Sequence, residues 1–411
     1  MRDTSLPWEQ ARRVAAASSG PLAVAEARLT ESVGSVLARP IVALTDLPPF
    51  ASAAMDGYAV RGDGPWRISE ENPQLAGQAP SAALDEGHAV AIATGALLPE
   101  GASAVLRRED AVVENALHGA RLYARDPLTG LADDLNRPPA PGTDIRPQGE
   151  ECSVGDTLIP AGAILGPAAV GLAAAAGYDV LEVIPAPTVA VMVLGDELLE
   201  RGLPRGGRVR DALGPLVPPW LASFGARANP PVRVPDSRQA LVDEIEDSTA
   251  DVIVTTGSTA SGPVDFVHDV LDHLGARWIV DGVQVRPGHP MVLAKLLDGR
   301  HVIGLPGNPL AAVSGLVTLA MPLIMSLRGL PDLAANPPST VATLLDDVRA
   351  HPHDTRLIPV TLEAGGVARP LLYGGPAMLR GLALADGIAV IPPQAGERGA
   401  RVEVLPLPHL P

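Results

Sequence analysis

Apolar positions along this chain change their spacing twice. Residues 8–17 are rich in alanine and arginine and predict a helix, which residues 22–29 continue. From Asp46 to Asp144 the apolar residues come in short runs, at 58–60, 89–93 and 121–124, set between Gly/Pro turns, and these predict β-strands. Residues 166–177 then predict one helix: Pro167 suits its first turn, alanines fill it and Gly177 can end it.

From about Ala186 strands and helices alternate. Residues 189–194 form a continuous apolar run, as expected of a strand buried on both faces. Asp236 and Gln239 have the spacing of a capping box, and Leu241 and Ile245 share the helix face beyond it. Residues 251–255 and 301–305 predict two more strands, with a helical stripe of Val264, Val267, Leu271 and Leu274, closed by Gly275, between them. Asn308 and Pro309 suit the cap and first turn of a long helix that Gly329 and Pro331 terminate. Such alternation implies a doubly wound, mostly parallel sheet. Residues 329–338 read as a linker. The short runs at 340–344, 356–362, 388–391 and 401–405 predict a small β-barrel or sandwich. The expected partition is a helical region at 1–45 and 145–185, an inserted β-rich domain at 46–144, an α/β domain at 186–330 and a C-terminal β-domain at 336–411.

Charge removes some functions. The formal net charge is −16 over 411 residues, and aromatics are 3%. A general nucleic-acid or anionic-membrane surface would need a basic patch, and base stacking would need more rings. Cys152 is the single cysteine, so neither an internal disulfide nor a multi-cysteine metal site is available, and a reducing compartment is expected. The first 17 residues contain charges and no apolar signal segment, and the run at 309–325 is interrupted by Ser314, Gly315, Thr318 and Pro322. The expectation is a cytoplasmic protein that binds neither nucleic acid nor membrane. Lys295 is the only lysine, so arginine carries nearly all the positive charge.

Ligands of open α/β sheets bind beyond the carboxyl ends of the strands. Three loops qualify here. Gly195-Asp196-Glu197-Leu198 could hold a hard cation such as Mg²⁺ through its carboxylates, or form a solvated turn. Thr256-Gly257-Ser258-Thr259-Ala260-Ser261-Gly262, leading to Asp265, could cradle a phosphate or serve as an ordinary strand-to-helix loop. Gly304-Leu305-Pro306-Gly307-Asn308-Pro309 could do either. Arg286-Pro287-Gly288-His289-Pro290 adds cationic groups for an oxyanion, or is a surface turn. Their coincidence at one sheet edge favours a phosphorylated or nucleotide-like ligand with a divalent metal.

Pro48-Pro49-Phe50, followed by Ala54-Met55-Asp56-Gly57-Tyr58-Ala59-Val60, resembles the PPF…SAMDGYAV signature of the molybdopterin molybdenumtransferases, the insertases related to the gephyrin E domain. Thr94-Gly95-Ala96 through Leu98-Pro99-Glu100-Gly101-Ala102 is similar to the family's TGAxLPEGAD. Asp144-Ile145-Arg146-Pro147-Gln148-Gly149-Glu150 is similar to its (N/D)IRPxGED. The GDEL and GLPGNP loops match, and Leu379 to Gly387 resembles LxSLAxANG. The resemblance implies a helical linker and dimerisation region, an inserted β-rich domain, a three-layer molybdopterin-binding α/β domain and a C-terminal β-barrel-like domain. It also implies a homodimer whose site lies between the α/β domain of one subunit and the inserted domain of the other. The implied reaction moves molybdenum from molybdate to adenylylated molybdopterin with Mg²⁺-dependent release of AMP. Molybdopterin adenylyltransferase and cofactor-accepting enzymes are the implied protein contacts.

Carried over by motif, Asp196 and Glu197 would act at the metal and the phosphoanhydride. Asp56, Thr94 and Asp144 would close the site across the dimer. Thr256, Gly257, Ser258, Asp265, Arg286, His289, Pro306, Asn308 and Pro309 would hold the substrate. The chain departs from the pattern at three single positions, with Ala53 for the serine of SAMDGYA, Ser103 for the acid after LPEGA and Leu194 for the hydroxyl residue before GDEL, and in two segments: the family's GGVSVGD reads Gly257-Ser258-Thr259-Ala260-Ser261-Gly262-Pro263, and its KPGKP carries Arg286 and His289. The two altered segments define an alternative, a paralogue that binds molybdopterin or a partner without turning over.

Overall fold

A computed structural model describes residues 5–69, 73–80, 82–116, 119–126, 129–132, 138–259 and 266–408. The layer that positions the candidate loops is a seven-stranded sheet. Arg227–Ala228, Thr188–Leu194, Val252–Thr256 and His301–Leu305 run parallel, in that spatial order. Val292–Lys295 and Arg277–Asp281 add an antiparallel edge, and Val232–Val234 also pairs with Thr188–Leu194.

Alternation along Thr188–Leu194 builds three layers. Val189, Val191 and Val193 face one side and pack with Leu213, Val217 and the apolar residues of Pro309–Leu327. Met192 and Leu194 face the other and pack with Leu241, Ile245 and Leu271. A strand covered on both faces has no polar side, which is why its sequence is a continuous apolar run. Full burial of each Val, Leu or Ile contributes about 1.5–3 kcal/mol relative to exposure.

The helix Pro309–Leu327 is apolar and long enough to cross a membrane by composition, yet 89% of it is buried, so it is a core helix. Its middle, Leu316–Ala320, widens into a π turn. Such a turn frees carbonyls from the regular ladder. Arg12 donates from Nη1 to the Val317 carbonyl at 3.2 Å, and Trp8 Nε1 donates to Thr318 Oγ1 at 2.9 Å. The first helix, Trp8–Ala17, is pinned to this core helix by those two bonds.

Elsewhere, a six-stranded sheet is built from Gly57–Val60, Trp66–Ile68, His88–Ile92, Ala104–Arg107, Ala111–Ala116 and Gly119–Ala124. Near the C-terminus Thr355–Glu363, Val367–Pro370, Thr340–Leu344, Arg401–Pro406 and Gly387–Ile391 pair in a ring that closes on itself, because Gly387–Ile391 pairs again with Thr355–Glu363. The multidomain α/β architecture with a C-terminal barrel is therefore present.

Four local expectations are corrected. Residues 22–29 do not extend a helix: Ala25–Arg28 is a strand paired with Val180–Ile184. The capping box at Asp236 does not form. Ser237 caps Arg238–Asp247 by accepting from the Ala240 N–H, Gln239 donates to Asp243, and Asp236 is left for the neighbouring loop. Part of the 329–338 linker folds as the short helix Pro331–Ala335. Asn308 occupies the cap position before Pro309, but its side chain makes no capping bond.

Candidate functional site

The strand register brings the predicted loops together. Val193 pairs with Thr256, and Thr256 with Leu305, so the three strands end level with one another. A Cβ built on Gly307 would sit 3.6 Å from the Gly257 Cα, and the Gly257 N–H donates to the Leu305 carbonyl at 2.8 Å. Gly257 and Ser258 both have positive φ, +91° and +55°, and reverse the chain over the sheet edge. The result is a cleft of about 710 Å3 whose wall includes Glu197, Thr256, Gly257, Ser258, Pro306, Asn308 and Pro309. Residues 260–265, including Asp265, lie outside the described residues.

The Gly195–Leu198 turn is braced by arginines that no motif singles out. Arg233 donates to the carbonyls of Gly195 and Leu198 at 3.1 and 3.0 Å, and Arg208 to those of Asp196 and Leu198 at 3.1 Å each. The Asp196 N–H donates to Asp236 Oδ2 at 3.0 Å. Glu197 folds back over Gly195, where an added Cβ would meet its carboxylate oxygens at 2.8 and 3.1 Å. Asp196 and Glu197 are both exposed. Glu197 lines the cleft, and Asp196, next to it in the turn, is not one of the lining residues.

Arg286 and His289 fall in a second cleft of about 900 Å3, between this sheet and the C-terminal barrel. The two clefts share Pro290, Pro306 and Asn308. Arg286 Nε donates to Asp354 Oδ2 at 2.7 Å, so part of its charge is answered within the protein. His289 Nδ1 is buried without a hydrogen-bond partner among the described residues, a costly state unless a ligand or water completes it. The Pro376 carbonyl accepts from the N–H groups of Leu310 and Ala311 at 2.9 and 3.4 Å. The first turn of the core helix therefore already serves the barrel side.

Asp56, Thr94 and Asp144 form a third group on the six-stranded sheet. The Thr94 backbone N–H and hydroxyl donate to Asp56 Oδ1 at 2.7 and 2.8 Å and hold its carboxyl below the ordinary range. Arg107 donates through Nε and Nη2 to the two oxygens of Asp144 at 2.7 and 2.9 Å, which lowers the Asp144 carboxyl and raises the guanidinium. Neither cleft of the same chain includes any of these three residues. Sequence reasoning does not reach Arg107, Arg208, Arg210, Asp211 and Arg233, and it reads Asp236 as a helix cap instead of a partner of the Asp196 N–H. The only signal was the run Arg201 to Arg210, with four arginines and no acid.

A three-layer α/β unit with glycine-rich loops and carboxylates at its strand ends, joined to two β-units, places this chain among multidomain α/β proteins whose clefts lie beyond the strand ends. Family models agree along the chain: the MoeA N-terminal region (domain I and II) over residues 6–177, the probable molybdopterin binding domain over 190–326, and the MoeA C-terminal region (domain IV) over 341–407. The chain belongs to the MoeA family of molybdopterin molybdenumtransferases. A Staphylococcus epidermidis protein named molybdopterin molybdenumtransferase is 28% identical over 385 residues, covering 90% of this chain and 87% of that protein. Its namesake from Staphylococcus aureus is 28% identical over 386 residues, at 90% and 87% coverage. The crystal structure of a molybdopterin biosynthesis MoeA protein from Pyrococcus horikosii superposes with a TM-score of 0.75 at 27% identity, over 99% of this chain and 100% of that one.

Proposed function

We propose that this chain transfers molybdenum from molybdate to adenylylated molybdopterin, with release of AMP, in the cytoplasmic biosynthesis of molybdenum cofactor. The observation that carries this reading is the meeting of three strand-end loops around one cleft with Glu197 on its wall. The physical task is to bring a molybdate dianion beside an anionic phosphoanhydride, which requires cations, aimed backbone donors and exclusion of water. The partition read from the sequence, a helical region at 1–45 and 145–185 with domains at 46–144, 186–330 and 336–411, belongs to the same proposal.

In this reading Thr256, Gly257 and Ser258, with the 306–309 turn, orient the phosphates, and Glu197 acts at the reacting phosphate. Asp196 and Glu197 would hold Mg²⁺. Among the described residues no cluster of three or more His, Cys, Asp or Glu forms a metal cage. Two exposed carboxylates fit an ion that keeps most of its waters and takes phosphate oxygens for the rest. When bound, that ion would neutralise developing charge at the phosphate. Asp56, Thr94 and Asp144 complete the site from the second subunit of a homodimer. Their separation from both clefts of their own chain supports this arrangement.

The test is reconstitution from adenylylated molybdopterin and molybdate. Glu197→Ala should abolish AMP release while keeping substrate affinity within about tenfold, or about 1.4 kcal/mol. Mixed dimers of Glu197→Ala and Asp56→Asn should recover activity that neither variant has alone. Full turnover by Glu197→Ala would reduce Glu197 to a brace of its loop, and absent complementation would remove the shared site. The commitment of Arg286 to Asp354 favours a second reading, a binding paralogue without turnover. Tight substrate binding with no AMP release by the wild type would select it.

A further inference from the structure

We infer that Arg210 grips the anionic group of the ligand in the Glu197 cleft, an assignment that rests on the function proposed above. The wall of this cleft carries three carboxylates, Glu197, Asp211 and Asp236, and Arg210 is the only Lys or Arg among its described lining residues. A phosphoanhydride arriving there meets like charge, which a low-dielectric cleft magnifies. Two of the acids are engaged without being neutralised. Asp211 Oδ1 accepts from the N–H groups of Leu213 and Gly214 at 2.9 Å each, and Asp236 Oδ2 accepts from the Asp196 N–H. The motif cations cannot answer this charge, because Arg286 and His289 line the other cleft.

Arg210 is exposed and has no hydrogen-bond acceptor or ion-pair partner among the described residues. That sets it apart from Arg208 and Arg233, whose guanidinium groups are committed to loop carbonyls. Its backbone is tied to the same turn as Glu197. Val209–Arg210 pairs in parallel with Leu198–Leu199, and the Val209 N–H donates to the Glu197 carbonyl at 3.0 Å. Cation and acid therefore sit on one short hydrogen-bonded ladder. The segment 201–210, between Glu200 and Asp211, holds four arginines and no acid in a chain of net charge −16, so the rim carries several cations next to the acidic wall. A planar guanidinium fork matches two oxygens of a phosphate or phosphoanhydride, the ligand class assigned here.

The test titrates inorganic pyrophosphate and 5′-AMP calorimetrically into wild type, Arg210→Gln, Arg210→Lys and Arg205→Gln. Arg205→Gln removes an equal charge from the same arm outside the cleft wall. Arg210→Gln should weaken both ligands roughly tenfold, the loss expected for a charge-assisted phosphate contact. Arg210→Lys should recover part of that loss, and Arg205→Gln should stay within about twofold of wild type. With adenylylated molybdopterin, Arg210→Gln should raise KM and leave kcat nearly unchanged. Wild-type affinity in Arg210→Gln, an equal loss in Arg205→Gln, or no binding of either probe by the wild type would overturn the assignment. Probe binding through Arg210 without turnover by the wild type would keep the anion site and sink the insertase reading. Normal turnover with an unchanged KM in Arg210→Gln would do the reverse.

Discussion

Gly195→Ala isolates what the turn after Thr188–Leu194 requires. Gly195 has φ +129°, a conformation that residues with a Cβ rarely adopt. The added methyl would sit 2.8 Å from Glu197 Oε2 and 3.0 Å from Leu198 Cγ. The turn has little room to relax, because the Gly195 carbonyl accepts from the Leu198 N–H and from Arg233, both at 3.1 Å. Backbone strain of about 1–3 kcal/mol and roughly 1 kcal/mol for overpacking predict a loss near 2–4 kcal/mol, concentrated in the α/β unit. Glu197, the flexible partner, should swing out and take turnover with it. The assay is denaturant unfolding plus AMP release for Gly195→Ala, Glu197→Ala and the double variant. The carboxylate clash is absent from the double variant, so its stability loss should be smaller than the two single losses added, by roughly 0.5–1 kcal/mol of coupling. Strict additivity would mean that Glu197 does not lie over Gly195. Wild-type stability and turnover in Gly195→Ala would refute the argument altogether.

Arg107→Ala should let the Asp144 carboxyl return toward its ordinary range. Because the folded-state value is depressed, the pair stabilises above that range and loses its effect as pH falls through the depressed value, so wild-type and variant melting curves should converge on acidification. His301, 1% exposed, is held neutral by burial and then by Lys295, with its pKa lowered to about 4. The unfolded imidazole takes its proton first, so stability is full above about pH 6.5 and falls toward pH 4 by at most about 2 kcal/mol at pH 5; His301→Gln should flatten that part of the unfolding profile. His289→Lys should tighten ligand binding at pH 8 by about fivefold if the second cleft takes an anion, and equal affinities for the two proteins in calorimetry would remove His289 as a charge donor.

Legibility in the sequence followed burial. The strand at 189–194 and the core helix after Asn308 are readable because covered faces leave apolar runs, and glycine and proline mark where those runs begin and end. The helix Leu213–Ser223 was not, because Pro218 and Pro219 lie inside it and its first N–H groups are satisfied by Asp211, outside the helix. Residues 22–29 looked helical by composition, but pairing with Val180–Ile184 overrides that weak preference.

The candidate site divides in the same way. Its loops were visible because glycine and proline mark the turns that strand ends need, and the family motifs sit on those turns. Its charge pairing was not, since Arg286 finds Asp354 68 residues away and Arg233 reaches back to Gly195 across 38. The family resemblance ties Arg286 and His289 to the same ligand as Glu197, whereas the fold puts them across the shared Pro306 and Asn308 wall. A long anionic substrate can bridge such a wall, with one end at Glu197 and the other toward Arg286. In that arrangement each end needs its own cation, and the Glu197 end has Arg210. A chain nearly free of lysine can meet both demands with arginine, whose charge is permanent at either place.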